Sequence, residues 1–156
     1  MGAMESASRL VVLVRHGKAE SGEEGSDHDR RLTGRGRSAA TEAGRWLAGQ
    51  LDRVDHVWVS SAARAQQTWS AVASSLPEAA EVVVARDLYQ AGAREVVAHV
   101  TATDVPVQVV VGHNPTLEQV VMVLTGDLHG MRPGAVAVVE LTDGPGRLRE
   151  LWQPAR

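Results

Sequence analysis

The stretch Leu10-Val11-Val12-Leu13-Val14-Arg15-His16-Gly17-Lys18 decides how the chain reads. Five apolar residues, mostly β-branched, stop abruptly at Arg-His-Gly. A run of that length and composition suits a strand buried on both faces. It ends by delivering a fixed cation, an imidazole and a glycine to one edge of a sheet. Open α/β sheets place their chemistry at the carboxyl ends of strands. The trio therefore reads as a nucleophile site that handles phosphate.

Working outward, strand and helix patterns alternate. Ala19 to Arg31 is polar and reads as a surface loop, and Leu32-Thr33-Gly34-Arg35-Gly36 leads into a helix. Ala40, Ala43, Gly44, Leu47 and Leu51 give that helix a buried stripe at helical spacing. His56 to Ser60 is a second strand. A helix is expected from Ser61 to about Leu76, stopped by Pro77, with Ala65, Trp69, Val72, Ala73 and Leu76 inward. Glu81 to Ala85 reads as a third strand, 87–92 as a loop and Ala93 to Val100 as a short helix. Val107 to Val111 is a fourth strand, followed at once by Gly112-His113-Asn114-Pro115. Asparagine at a helix cap with proline in the first turn is a strong helix start. Ala135 to Leu141 and Leu148 to Gln153 flank Asp143-Gly144-Pro145-Gly146 and read as a hairpin. This pattern predicts an α/β fold of three layers: a mostly parallel central sheet, helices on both faces and an antiparallel C-terminal hairpin.

Composition narrows the function. The 156 residues suit one domain spanning 1–156, with 1–8 as a disordered or tag-derived tail. Met1 to Ser6 matches the loose myristoylation pattern, and Met4 reads equally as the natural start. A net charge of −3 and a pI near 6.1 argue against a nucleic-acid binder. The absence of cysteine excludes disulfides, thiolate metal sites and a cysteine nucleophile. No apolar run reaches the roughly 18–20 residues of a membrane span. The expected setting is cytoplasmic, without membrane or nucleic-acid partners, and the expected state a monomer or weak dimer.

Three expected strand ends carry polar groups that make sense together. The first gives Arg15 and His16, the second Ser60, Ser61 and, one turn on, Arg64, and the fourth His113 and Asn114. Parallel strands bring these ends to one edge. Arginine forks and helix N-termini suit a phosphoryl group better than a cation. An imidazole in this positive field should be neutral and nucleophilic at pH 7. In-line attack would give a phosphohistidine intermediate. Taken singly, Arg64 reads as well as a solvent-facing helix arginine, and Asn114 as a cap rather than a ligand. Arg30, Arg31, Arg35 and Arg37 read either as a solvated loop and helix start or as a rim that attracts an acidic or phosphorylated partner. His28, His56, His99 and His129 lack ligand-like spacing, and the four tryptophans read as packing residues.

Arg15-His16-Gly17, the segment from Ser60 to Thr68, and Gly112-His113-Asn114-Pro115 resemble the histidine phosphatase superfamily. Lys18-Ala19 and Asp29-Arg30-Arg31-Leu32-Thr33-Gly34-Arg35-Gly36 are most similar to its phosphohistidine-phosphatase, SixA-like branch. The resemblance implies a phosphoglycerate mutase-like fold and a phosphatase without metal or other cofactor. It implies His16 as the phosphorylated nucleophile and Arg15, Gly17, Arg64, His113 and Asn114 around the phosphoryl group, with His113 also stabilising the transition state. Arg31 stands where the family pattern has proline, so this loop should be shaped differently. Larger members carry an acidic proton donor after the third strand. Here no carboxylate is assigned, and Asp29, Asp87 and Glu95 remain candidates. The gap favours phosphohistidine, whose imidazole leaves with less acid assistance than an alkoxide. Only Pro77 to Arg86 stands where mutase-like members insert a long segment, so the site should be open to a phosphorylated protein side chain. A small-molecule phosphomonoesterase and a weakly active phosphate-sensing module are the rival readings.

Overall fold

The computed structural model describes residues 8–22 and 25–156. The expected N-terminal tail, the myristoylation pattern and the alternative start at Met4 lie outside the described residues, save for Ser8. Six strands form one sheet in the order β3-β2-β4-β1-β5-β6. They are β1 (Arg9–Arg15), β2 (His56–Ser60), β3 (Val82–Ala85), β4 (Val107–Gly112), β5 (Val136–Leu141) and β6 (Arg147–Trp152). β1, β4, β2 and β3 run parallel, while β5 pairs antiparallel with both β1 and β6. This is the expected three-layer arrangement.

The central strand behaves as its sequence predicts. Val11, Val12, Leu13 and Val14 are all fully buried. Val12 and Val14 face a core shared with helices α1 (Gly34–Ala48) and α2 (Ala63–Ala73). Val11 and Leu13 face the opposite core, under α3 (Ala93–Ala102) and α4 (Thr116–Thr125). Alternating side chains thus bury both faces, each valine contributing roughly 1.5–3 kcal/mol. Gln108, the polar exception in β4, is fully buried. Its Nε2 donates to the carbonyls of Val100 and Thr103, which fastens the end of α3 to the sheet.

Local departures from the expected elements have local causes. The second helix begins at Ala63 because Ser60 to Ala62 form a turn, in which the Ala62 N–H donates to Ser60 Oγ at 3.3 Å. It ends at Ala73, and the Ser75 and Leu76 N–H groups donate to carbonyls three residues back before Pro77 stops the turn. The stretch expected as a polar loop contains a short 3-10 turn, Asp27–Asp29, and another spans Arg86–Tyr89. α4 starts at Thr116, one residue later than the Asn-Pro pair predicts. Backbone bonds lead into it from the Leu117 N–H to His113 O and from the Gln119 N–H to Pro115 O. Asn114 still closes the end, since its Oδ1 accepts from the Glu118 N–H at 3.3 Å. Among the described residues no helix is long and apolar enough to cross a membrane.

α1 and α2 approach closely at Gly44, where a Cβ would lie 2.3 Å from the Val72 carbonyl oxygen. Backbone cannot yield there as a flexible side chain would. Gly44→Ala should therefore destabilise the fold by about 1–3 kcal/mol, read as a lower denaturant midpoint. Gly34→Ala has open space at its Cβ. It should leave stability unchanged or raise it by up to about 1 kcal/mol. Equal effects of the two would show that the helix contact is not tight.

Candidate active site

The registers of the parallel strands place the reactive groups. Arg15 lies opposite Gly112 on β4, and Val59 on β2 lies opposite Val111. The residues just beyond these pairs, His16, Ser60 and His113, therefore reach the same edge. They open on a cleft of about 570 Å³ lined by residues that include Arg15, His16, Gly17, Arg64, His113 and Asn114.

The loop after β1 is held rigidly. The His16 N–H donates to Gly112 O, and the Gly134 N–H donates to His16 O. The Gly17 N–H donates to Thr68 Oγ1 at 3.0 Å, and that hydroxyl donates onward to Arg64 O at 2.8 Å. The start of α1 closes from the other side: a Cβ on Gly17 would meet Gly36 O at 2.7 Å, and one on Gly36 would meet Lys18 O at 2.2 Å. Only glycines allow this approach. Thr33 caps α1 by accepting from the Gly36 N–H, while its own N–H donates to Lys18 O. Thr33 and Gly36 thus clamp the loop after β1.

Two contacts fix the tautomer of His16. Nδ1 lies 2.8 Å from the Gly17 carbonyl, which can only accept, so Nδ1 carries the proton. Nε2 faces the Nε–H of Arg64 at 3.4 Å, which can only donate. Nε2 therefore carries the lone pair, which accepts from Arg64 within the cleft. Burial lowers the His16 pKa to about 3, with His113, Arg64 and Arg15 adding to the effect against the Gly17 bond. The sequence pointed to the positive field as the cause of a depressed value; desolvation is the larger one.

His113 stands edge-to-face with His16, ring centroids 5.1 Å apart. Burial first, then Arg64, hold its pKa at about 4. Its Nε2 lies 2.7 Å from Ser60 Oγ, so contact with a bound anion falls to Nδ1. Arg15 donates from one terminal nitrogen to Met131 O at 2.7 Å, while its Nε–H is buried without a partner. Glu118 supports that carbonyl's segment, accepting from the Met131 N–H and from Asn114 Nδ2. Asn114 also donates to Met131 O. It acts at the cleft wall through these bonds.

Arg64 is 5% exposed, a buried guanidinium rather than a solvent-facing helix residue. Its terminal nitrogens donate to Asp27 O at 2.7 Å and Asp27 Oδ2 at 3.1 Å. Asp27 also accepts from Arg30 Nε and from the Tyr89 hydroxyl. The bond from Tyr89 is the largest influence lowering its pKa to about 2, with the Arg64 contacts next among the favourable ones. Tyr89 completes the wall, with its ring against His113 and the Arg64 guanidinium over its face.

Asp27 and Tyr89 are the site residues that sequence reasoning missed. Asp27 sits two residues before Asp29 in a stretch without helical or strand period, and Tyr89 was read only as part of a loop. The three candidate proton donors lie elsewhere. Asp29 accepts from Ser26 Oγ and pairs with His28. Asp87 pairs with His99 at 3.2 Å, and with Glu95 it lines a different pocket. None of the three lines the catalytic cleft. His28 is at its rim, bonded to Ser61 and packed on Tyr89. Among the described residues no three His, Cys, Asp or Glu side chains are grouped to hold a metal ion.

The sequence profile of the histidine phosphatase superfamily, branch 1, matches residues 11–91, more than half of the chain. The chain belongs to this superfamily, and the class is that of histidine-type phosphatases. An uncharacterised Mycobacterium leprae protein, ML1117, is 34% identical over 65% of this chain and 62% of its own length, so the chain matches less than two thirds of that relative. Among solved structures, a Nakamurella multipartitia protein named for the phosphohistidine phosphatase SixA is 32% identical, with a TM-score of 0.85 over 97% of this chain and 99% of that one. The protein histidine phosphatase SixA complexed with tungstate is 29% identical, with a TM-score of 0.84 over 93% and 97%. These place the chain in the SixA-like branch. Phosphoglycerate mutase from Plasmodium falciparum, 19% identical, shares the fold at a TM-score of 0.68 over 92% of this chain and 90% of that one.

The histidines make stability depend on pH. Their unfolded pKa lies near 6.5, and the folded values are about 3 for His16 and about 4 for His113. Between those limits the unfolded chain binds more protons, so stability falls as pH falls from 6.5. The denaturant midpoint should drop between pH 7 and 4, and His16→Gln should show a shallower drop. A slope unchanged by the substitution would refute the burial of a neutral imidazole.

Asp27 fixes the Arg64 fork. Asp27→Asn should lower kcat/KM for aryl phosphates about tenfold by loosening that fork. The loss should be the same for leaving groups of low and high pKa. A loss that grows with leaving-group pKa would instead mark Asp27 as the proton donor.

Proposed function

We propose that this chain removes a phosphoryl group through a covalent phosphohistidine on His16, and that its substrate is phosphohistidine or another phosphorylated side chain of a protein. The observation that carries the chemistry is the fixed tautomer of His16. Its Nδ1 proton is tied to Gly17 O while the Nε2 lone pair faces Arg64 beside His113 and Arg15. A neutral imidazole needs no general base before it attacks phosphorus. Arg15, Arg64 and His113 then take the charge spread over the equatorial oxygens. Water attacks the phosphohistidine in the second step and releases phosphate. Guanidinium forks and neutral imidazoles are donors for an anion, so the proposed reaction calls for no metal ion.

The protonation of the leaving group supports the substrate class. Among the described residues Asp27 is the carboxylate that lines the cleft, and with a pKa of about 2 it is ionised at neutral pH and a poor acid. An alkoxide leaving group needs a proton, whereas imidazole leaves with far less assistance. The similarity to two structures named for SixA, 29–32% identical over nearly their whole length, supports the same reading. We place this single catalytic domain in the cytoplasm as a monomer or weak dimer.

Incubation with a labelled phosphodonor should leave acid-labile, base-stable label on His16. His16→Ala should lose activity by at least about a thousandfold, as removal of a nucleophile does. A panel of phosphohistidine peptide, sugar phosphates and nucleotides should favour the peptide. Wild-type turnover by His16→Ala would sink the mechanism, and preference for a sugar phosphate would sink the substrate class.

A further inference from the structure

A second, smaller cleft of about 220 Å³ adjoins the catalytic one, and Lys18 and Pro133 line both. Its other lining residues include Arg35, Arg132, Ala39 and Pro154. Among the described residues, three cations and no acidic residue line this space. Arg132 is held in place, its Nε donating to Gln153 Oε1 at 3.2 Å and a terminal nitrogen to Pro154 O at 2.7 Å. Both acceptors are neutral, and Arg132 forms no ion pair among the described residues. Lys18 and Arg35 form no ion pair among the described residues. The neighbouring basic residues divide differently: Arg30 is spent on Asp27 in the catalytic cleft, and Arg37 lines a separate pocket beside Glu42.

From this juxtaposition we infer that the Lys18–Arg35–Arg132 cleft is a substrate subsite for acidic side chains flanking the phosphorylated residue of a protein. The inference rests on the phosphoprotein reading above and adds what that substrate should look like. Its basis is charge complementarity and continuity with the cleft that holds His16. A polypeptide that delivers a phosphorylated side chain to His16 reaches this space by crossing the rim shared through Lys18 and Pro133. An Asp or Glu beside that side chain then meets a cluster of cations at the apolar floor of Ala39 and Pro154. Such rim charges act chiefly on encounter and specificity, and salt screens them.

The test uses two phosphohistidine peptides of equal length, one flanked by Asp and Glu and one by Ser and Gln, with phosphoramidate as a substrate without flanks. Wild type should prefer the acidic peptide by about tenfold in kcat/KM at low salt, a preference that shrinks as salt rises. Arg35→Ala should weaken it and Arg35→Glu abolish it, with phosphoramidate turnover unchanged. Arg35 is exposed at the start of α1 and outside the catalytic cleft, so phosphoramidate turnover also reports that the variants are folded. Equal wild-type turnover of the two peptides overturns the subsite while leaving the phosphoprotein reading intact. A preference that survives Arg35→Glu at every salt concentration also overturns it. Hydrolysis of phosphoramidate but of neither peptide overturns the phosphoprotein reading, and the subsite with it.

Discussion

The parallel pairing of β1 with β4 and of β4 with β2 is the constraint on which the site depends. It sets Arg15 level with Gly112 and Val59 level with Val111, so that three segments distant in sequence end at one edge. Both faces of these strands are buried, and a slip of one residue would turn every valine toward the wrong core. The hydrophobic pattern therefore also locates His16 and His113 relative to one another. Burial of the core and placement of the two histidines follow from the same register.

Within that frame, electrostatics and close packing settle what each group can do. His16 and His113 stay neutral chiefly because they are desolvated, with the nearby cations adding to the effect. A neutral imidazole is the reactive form of a histidine nucleophile, so the burial that disfavours a charged histidine suits His16 to the role proposed for it. The glycine contact at Gly17 and Gly36 lets α1 press against the nucleophile loop, and Thr68 holds the same loop from α2. Asp27 then fastens Arg64 from the opposite side. The reactive histidine lies between elements that leave it little freedom, as a preorganised site requires.

Much of this was legible in the chain. The valine-rich strands, the Ala40–Leu47 stripe of α1 and the C-terminal hairpin follow simple periodicities. His16, Arg15 and His113 stand at junctions where a strand pattern stops, which made them visible as candidates. Arg64 was less certain from spacing alone, and its burial is a tertiary fact. Asp27 escaped notice because a short 3-10 turn carries no period, and its role exists only through Arg30 in the same turn and Arg64 and Tyr89 from two other segments. The same holds for Thr68, which looks like an ordinary helix residue until Gly17 meets its hydroxyl. Asp29, Asp87 and Glu95 were plausible donors by residue type, but Asp29 and Asp87 pair with histidines and none of the three lines the cleft of His16.

By itself the sequence determined the α/β alternation, the two-faced burial of β1 and the three polar strand ends. Each depends on local periodicity or on residue type at a boundary, which a linear chain displays. The tertiary structure decided the tautomer of His16, the ionised carboxylate that steadies Arg64 and the gathering of Lys18, Arg35 and Arg132 beside the cleft. Those depend on distances between residues far apart in the chain and on how much water each group loses. Both quantities come into being only when the sheet closes and the helices pack over it.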